Sequence, residues 1–215
     1  MPIFRGAGVA IVTPMKANGD VNFDKLGELI EDQISGGTDA IIIAGTTGES
    51  ATLTMEEHKE VIQAAVDFVK HRIPVVAGTG SNCTRTAIQL TKEAEECGAD
   101  AALIVTPYYN KATQQGLVAH YSQIADETKL PIIVYNVPSR TGTNVMPETV
   151  AELVKTKSNI VGLKEATGNM SQASKTMYLC DGKLEMYSGE DGLVVPLLSI
   201  GGIGVISVTC NIIPS

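Results

Sequence analysis

The sequence predicts an α/β fold closed into a (β/α)8 TIM barrel, on three observations. Short apolar runs alternate with longer amphipathic stretches along the whole chain. The alternation gives eight strands and seven helices at a period of about 25 residues, the signature of a parallel sheet with right-handed crossovers. The turn after the first strand, Thr13-Pro14-Met15-Lys16, holds no glycine cluster. An open doubly wound sheet would carry its phosphate fingerprint there. Gly78-Thr79-Gly80 comes near that pattern, but Cys83 stands where the third glycine should be.

The elements follow in order. G-V-A-I-V-T-P at 8–14 is a strand. Residues 23–35 form a helix, with Asn22 as cap and Asp24 in its first turn. A-I-I-I-A at 40–44 is the second strand, stopped by Gly45. Thr54 caps the next helix, with Glu57 placed for a capping box, and that helix runs to about Lys70. Strands follow at 74–77, 101–106 and 131–135, with helices at 84–97, ended by Gly98, and at 114–128. Pro147 opens a helix over 147–155. A strand at 160–165, a helix at 171–179, a strand at 184–188, a short helix at 191–200 and a strand at 204–208 complete the chain.

The last strand is followed only by Asn211-Ile212-Ile213-Pro214-Ser215. A barrel of this kind typically needs about 250 residues. The expectation is one barrel domain over 1–215, truncated at its C-terminus, without the eighth helix and the C-terminal helical region. Val194, Val195, Leu197 and Leu198 should then be exposed and lower the solubility of the chain.

The 215 residues are 44% hydrophobic, enough for a sizeable core. A net charge of −8 argues against nucleic-acid or anionic-membrane partners. No apolar run approaches a membrane span, and the N-terminus lacks a signal-peptide core. Cys83, Cys97, Cys180 and Cys210 show no C-x-x-C spacing, which suits reduced thiols in a cytoplasmic protein. There is no histidine pair or carboxylate cluster at metal-ligand spacing, so no metal is expected.

The chemistry is sought at the C-terminal ends of the strands, where such barrels place it. I-V-G-L-K-E at 160–165 is an apolar run closed by Lys164. A lysine at a strand end ordinarily points to water. One that is buried tends to turn neutral, and a neutral lysine is a nucleophile for carbonyls. Other strand ends bring Gly45-Thr46-Thr47-Gly48-Glu49-Ser50, Thr106-Pro107-Tyr108-Tyr109-Asn110, Tyr135 through Gly142 with Arg140, Ser188-Gly189-Glu190-Asp191 and Gly204-Val205-Ile206-Ser207 to the same rim. The 45–48 turn can present backbone N–H groups to a small carboxylate. Taken singly, each stretch can be only a turn or packing. Their shared face favours a site.

G-T-T-G-E at 45–49, A-G-T-G at 77–80, T-P-Y-Y-N at 106–110, Y-N-V-P-S-R-T-G at 135–142, K-E at 164–165 and G-V-I-S-V at 204–208 together resemble the dihydrodipicolinate synthase family. This is a branch of the N-acetylneuraminate lyase superfamily of Schiff-base barrels. The resemblance runs from Gly6 to Pro214. It implies a lyase that condenses pyruvate with L-aspartate 4-semialdehyde in the diaminopimelate route to lysine, with no cofactor beyond the imine. By position, Lys164 forms the imine, Tyr135 donates and accepts protons, and Thr47, with Thr46 beside it, links Tyr135 to Tyr109. Tyr109 reaches a neighbouring subunit's site in a homotetramer built as a dimer of dimers. Thr46, Thr47 and the Ile206 backbone hold pyruvate, Gly189 is a further substrate-binding position, and Arg140 binds the semialdehyde carboxylate. Sister aldolases, N-acetylneuraminate lyase and 2-keto-3-deoxy sugar acid aldolases, have less use for Arg140. A non-catalytic truncated barrel would not need every one of these positions filled. Members that lysine inhibits carry a histidine and a glutamate where this chain has Met55 and Thr86, so inhibition by lysine is not expected.

Overall fold

The computed structural model describes residues 2–214. Eight parallel strands close into a barrel in chain order. They are β1 (Gly6–Ala10), β2 (Ala40–Ile43), β3 (Val75–Gly78), β4 (Ala101–Val105), β5 (Ile132–Asn136), β6 (Ile160–Glu165), β7 (Glu185–Ser188) and β8 (Gly204–Ser207). β1 closes the circle on β8, with Gly6 opposite Gly204 and Gly8 opposite Ile206. The helices are α1 (Phe23–Ser35), α2 (Met55–Val69), α3 (Thr84–Glu96), α4 (Gln114–Asp126), α5 (Pro138–Thr141), α6 (Pro147–Thr156), α7 (Met170–Leu179) and α8 (Val194–Ser199).

Local signals set the helix boundaries. Asn22 Oδ1 accepts from the Lys25 N–H at 3.1 Å and starts α1. Thr54 and Glu57 close a reciprocal capping box that starts α2. α1 turns Leu26 and Ile30, both fully buried, toward the sheet. Each such side chain stabilises the fold by roughly 1.5–3 kcal/mol.

Strand alternation divides the core into two layers. Ile41, Ile43, Val134, Ile160 and Leu163 face the helices. Ala40, Ile42, Ile133, Tyr135, Tyr187 and Ile206 fill the barrel interior, and Phe4 joins them. The Phe4 and Tyr187 rings stack at 4.5 Å between centroids.

One irregularity interrupts the β5–β6 ladder. Ile132 pairs with Ile160, but Ile133 pairs with Gly162, so Val161 is an inserted residue. Beyond it Tyr135 lies opposite Lys164, and Asn136 opposite Glu165.

Several expected boundaries move. β1 ends at Ala10 rather than at 14, because the chain then leaves the sheet for a Met15–Val21 bridge that turns it toward α1. α5 was not expected, since four residues hold no apolar period. The helix expected over 191–200 is a 3-10 turn at Asp191–Leu193 followed by α8. Of the four side chains expected to be exposed there, Val195 and Leu198 are exposed, Val194 is half-buried, and Leu197 packs into the core.

Candidate active site

Lys164 stands near the C-terminal end of β6 and is 5% exposed. Regular alternation after Val161 turns it into the barrel. Its Nζ lies 4.3 Å from the centroid of the Tyr135 ring. Above it opens a cavity of about 590 Å³. Thr46, Thr47, Tyr135, Arg140, Lys164 and Gly189 all line that cavity, together with Glu190 and Asp191. Six of the residues singled out in the sequence therefore meet at one place.

Burial brings the Lys164 amine down from its ordinary value to about 8. The Asp191 carboxylate resists that fall, the Arg140 guanidinium adds to it, and the Glu190 carboxylate resists it. A substantial share of the amine is then unprotonated just above neutral pH, with its lone pair free. Tyr135 moves the opposite way. Burial raises its phenol, Arg140 and the Thr46 hydroxyl beside it oppose the rise, and Glu190 adds to it. Tyr135 therefore starts as a proton donor. The hydroxyl beside it is that of Thr46 rather than Thr47.

The wall is built from close backbone approaches. Thr13 Oγ1 donates to the Gly48 carbonyl at 2.7 Å and ties the 45–48 turn to the β1 side. Ala44 and Glu49, which bracket that turn, both lie in the left-handed region, at φ 51° and 55°. Strain of this kind persists where the surrounding contacts over-determine it. Gly189 donates its N–H to the Glu165 carbonyl at 2.8 Å, and a Cβ there would come within 2.6 Å of the Ala166 Cβ. Only glycine fits that stretch of wall.

Arg140 sits on α5, exposed at the cavity mouth. Two sequence candidates lie elsewhere. Tyr109, at φ 73°, is 89% exposed and is not among the lining residues. Ile206 is fully buried in the barrel interior and does not line the cavity either, whereas Val208 does.

Sequence reasoning gave no role to Glu190 and Asp191. Asp191 is held by Thr209, whose N–H and Oγ1 donate to Oδ2 at 3.3 and 3.0 Å. Burial alone would raise its carboxyl, but the Ser207 and Thr209 hydroxyls and nearby backbone N–H groups outweigh burial and lower it. The available signal was two adjacent carboxylates immediately after the seventh strand, on the catalytic rim. Among the described residues no group of three or more His, Cys, Asp or Glu is placed to hold a metal ion.

A buried amine that neutralises readily, with a phenol against it and a polar cavity above, defines a class: barrel enzymes that form an imine with a carbonyl substrate. The chain matches the Dihydrodipicolinate synthetase family over residues 3–215. It is 60% identical over 214 residues to the 4-hydroxy-tetrahydrodipicolinate synthase of Lachnoclostridium phytofermentans, covering 100% of this chain and 73% of that one. It is 56% identical to the enzyme of the same name from Thermoanaerobacter sp. strain X514, covering 100% and 72%. The crystal structure of dihydrodipicolinate synthase from Aquifex aeolicus superposes with a TM-score of 0.96 at 47% identity, over 98% of this chain and 72% of that one. The chain belongs to the dihydrodipicolinate synthetase family.

Proposed function

We propose that residues 1–215 act as a single catalytic barrel in which Lys164 carries pyruvate as an imine for condensation with L-aspartate 4-semialdehyde. The activity is that of a 4-hydroxy-tetrahydrodipicolinate synthase, a lyase of the diaminopimelate route to lysine. The observation that carries the site assignment is Lys164 itself, which is 5% exposed, has an amine lowered to about 8, and sits 4.3 Å from the Tyr135 ring.

The steps follow from these groups. The neutral Lys164 amine attacks the pyruvate carbonyl carbon. Tyr135 supplies the proton with which the hydroxyl leaves as water. The protonated imine withdraws electrons, so a methyl proton passes to the Tyr135 oxygen and the C–H pair moves toward nitrogen. The resulting enamine attacks the aldehyde carbon. The amine of the second substrate then closes on the imine carbon and releases Lys164. Thr46 passes protons to and from Tyr135. Thr47 and the 45–48 turn hold the pyruvate carboxylate, and Arg140 takes the semialdehyde carboxylate through paired N–H donors. The exposure of Tyr109 supports a role at a neighbouring subunit's site within a homotetramer. The proposed location is the cytoplasm; no helix of the described residues is long and apolar enough to cross a membrane. The imine itself is the electron sink, so the reaction needs no separate cofactor.

Borohydride reduction in the presence of pyruvate tests the reading. The expected result is one irreversible adduct on the peptide that contains Lys164. An adduct on another lysine, or none on the folded enzyme, overturns it.

A further inference from the structure

We propose that Glu165 is a positioning residue, acting with Asn136 from the outer face of the sheet to hold Tyr135 against Lys164. The proposal rests on the Schiff-base reading above. Each reacting side chain has a polar neighbour one residue on, Asn136 after Tyr135 and Glu165 after Lys164. The two neighbours are themselves opposite each other in the ladder. They point to the helix side, into a layer built from Ile132, Val134, Ile160 and Leu163. Asn136 is fully buried and Glu165 is 5% exposed. A carboxyl so placed is destabilising unless its contacts do something an apolar side chain cannot.

Those contacts gather at one level of the barrel. Glu165 Oε1 accepts from the Thr167 N–H at 2.7 Å, and the Asn136 and Gln172 amides lie beside the same carboxyl. Asn136 Oδ1 accepts from the Val145 N–H at 3.1 Å, and its Nδ2 donates to Asn144 Oδ1 at 2.9 Å. Gln172 and Asn144 exchange two amide hydrogen bonds at 2.9 and 3.0 Å. Backbone bonds complete the clasp, with the Ala166 N–H on the Asn136 carbonyl and the Gly189 N–H on the Glu165 carbonyl. The ends of β5, β6 and β7 and the start of α7 are thus tied together where the two reacting groups leave the sheet. Glu165 Oε2 has no partner among the described residues, so the carboxyl is not simply a saturated polar plug.

Imine formation also draws a proton from Tyr135, but solvent water supplies it given time, so trapping read at its end point needs only Lys164 to be reachable. Removing a methyl proton from the bound pyruvate needs Tyr135 and Lys164 in fixed relation. The two steps separate experimentally in the complete enzyme without the second substrate. Borohydride trapping with pyruvate reads the first, and deuterium uptake into the pyruvate methyl group in D2O reads the second. Glu165→Ala is expected to trap within about twofold of wild type but to exchange at least about tenfold more slowly, the scale of a small misplacement of reacting groups. Glu165→Gln keeps the Oε1 acceptor and is expected to recover exchange to within about threefold of wild type. Gln172→Leu, at a half-buried helix position, is expected to show the same selective loss in milder form, and it stands in should Glu165→Ala not fold. Exchange at the wild-type rate in a folded Glu165→Ala, or in a folded Gln172→Leu when Glu165→Ala does not fold, overturns the proposal. So does a proportional fall of trapping, exchange and thermal midpoint together. Absence of exchange in the wild-type enzyme would instead sink the Schiff-base reading.

Discussion

Tyr135 and Tyr187 flank the same lysine, one on each neighbouring strand, and both pair with Lys164 in the ladder. Their surroundings differ in kind. Tyr187 is fully buried, stacked on Phe4, and its hydroxyl lies 3.0 Å from the Phe4 carbonyl and 3.1 Å from Glu185 Oε2. One proton is shared between two fixed acceptors. Burial, with the Glu185 carboxylate adding to it, pushes that phenol far up. Tyr135 faces the cavity with a hydroxyl and a guanidinium near it. Residue type and register do not separate a structural tyrosine from a reacting one. The freedom of the proton does.

Substitutions can break or sharpen that contrast. The largest effect belongs to the shared neighbour. Lys164→Met should abolish the borohydride-trapped adduct and turnover while making the protein more stable at pH 7. The native amine titrates near 8 against 10.5 when unfolded, so at neutral pH its charge is held at a penalty of about 3 kcal/mol. Between those two values the unfolded chain binds more protons than the folded one, so native stability rises with pH. The advantage of Lys164→Met in thermal midpoint should therefore be full below about pH 8 and fade toward 10.5. Tyr135→Phe should lower kcat by about 10²–10⁴-fold and slow trapping while leaving its end-point yield intact, as expected for a lost acid–base group. Arg140→Ala should weaken use of the semialdehyde by about 2–5 kcal/mol, read in kcat/KM, and leave pyruvate trapping unchanged. Equal loss of both steps would make Arg140 a support of the pocket instead. Tyr187→Phe should do the reverse of Tyr135→Phe, with kcat within about twofold and a loss of about 1–3 kcal/mol in stability from the orphaned Phe4 carbonyl, since Glu185 Oε2 keeps the Ile3 N–H. A Tyr187→Phe enzyme with intact stability and lost turnover would erase the contrast. The smallest expected effect is none: L-lysine titrated to millimolar levels should not inhibit. Thr86 and Met55 offer no charge partner for a bound ammonium, and His58 Nε2 is already engaged with the Gly78 carbonyl at 2.9 Å.

Much of this architecture was written in local signals. Phe23–Ser35 and Ile160–Glu165 match their expected bounds, because a cap and an apolar run closed by a charge mark their ends. The end of β1 was misjudged, since Ile11, Val12 and Thr13 have strand character and the bend that removes them is set by the Met15–Val21 bridge. α5 escaped because Pro138–Thr141 is shorter than any readable period. At the site, Lys164, Tyr135, Arg140 and Gly189 could be placed on one rim from strand ends alone. Which threonine sits beside Tyr135 depends on how a strained turn points its side chains, and no spacing rule gives that. Glu190 and Asp191 act through space on Lys164, a relation invisible until the strands are wound into a circle.

The extra residue in β6 governs how the strand tolerates a change in length. Side chains on a strand alternate inward and outward, so an added or lost residue inverts every position after it. Val161 is the exception: as the bulged residue it stands outside the alternation, so Ile160 and Leu163 both face the helices while Gly162 and Lys164 face inward. Loss of the Val161 codon would join Ile160 to Gly162 in the regular register of Ile132 and Ile133 and leave Lys164 facing the substrate, whereas loss of the Leu163 codon would turn the acid inward and pack the amine under a helix. For this strand the place of a deletion, rather than its size, decides whether the chemistry of the pocket survives.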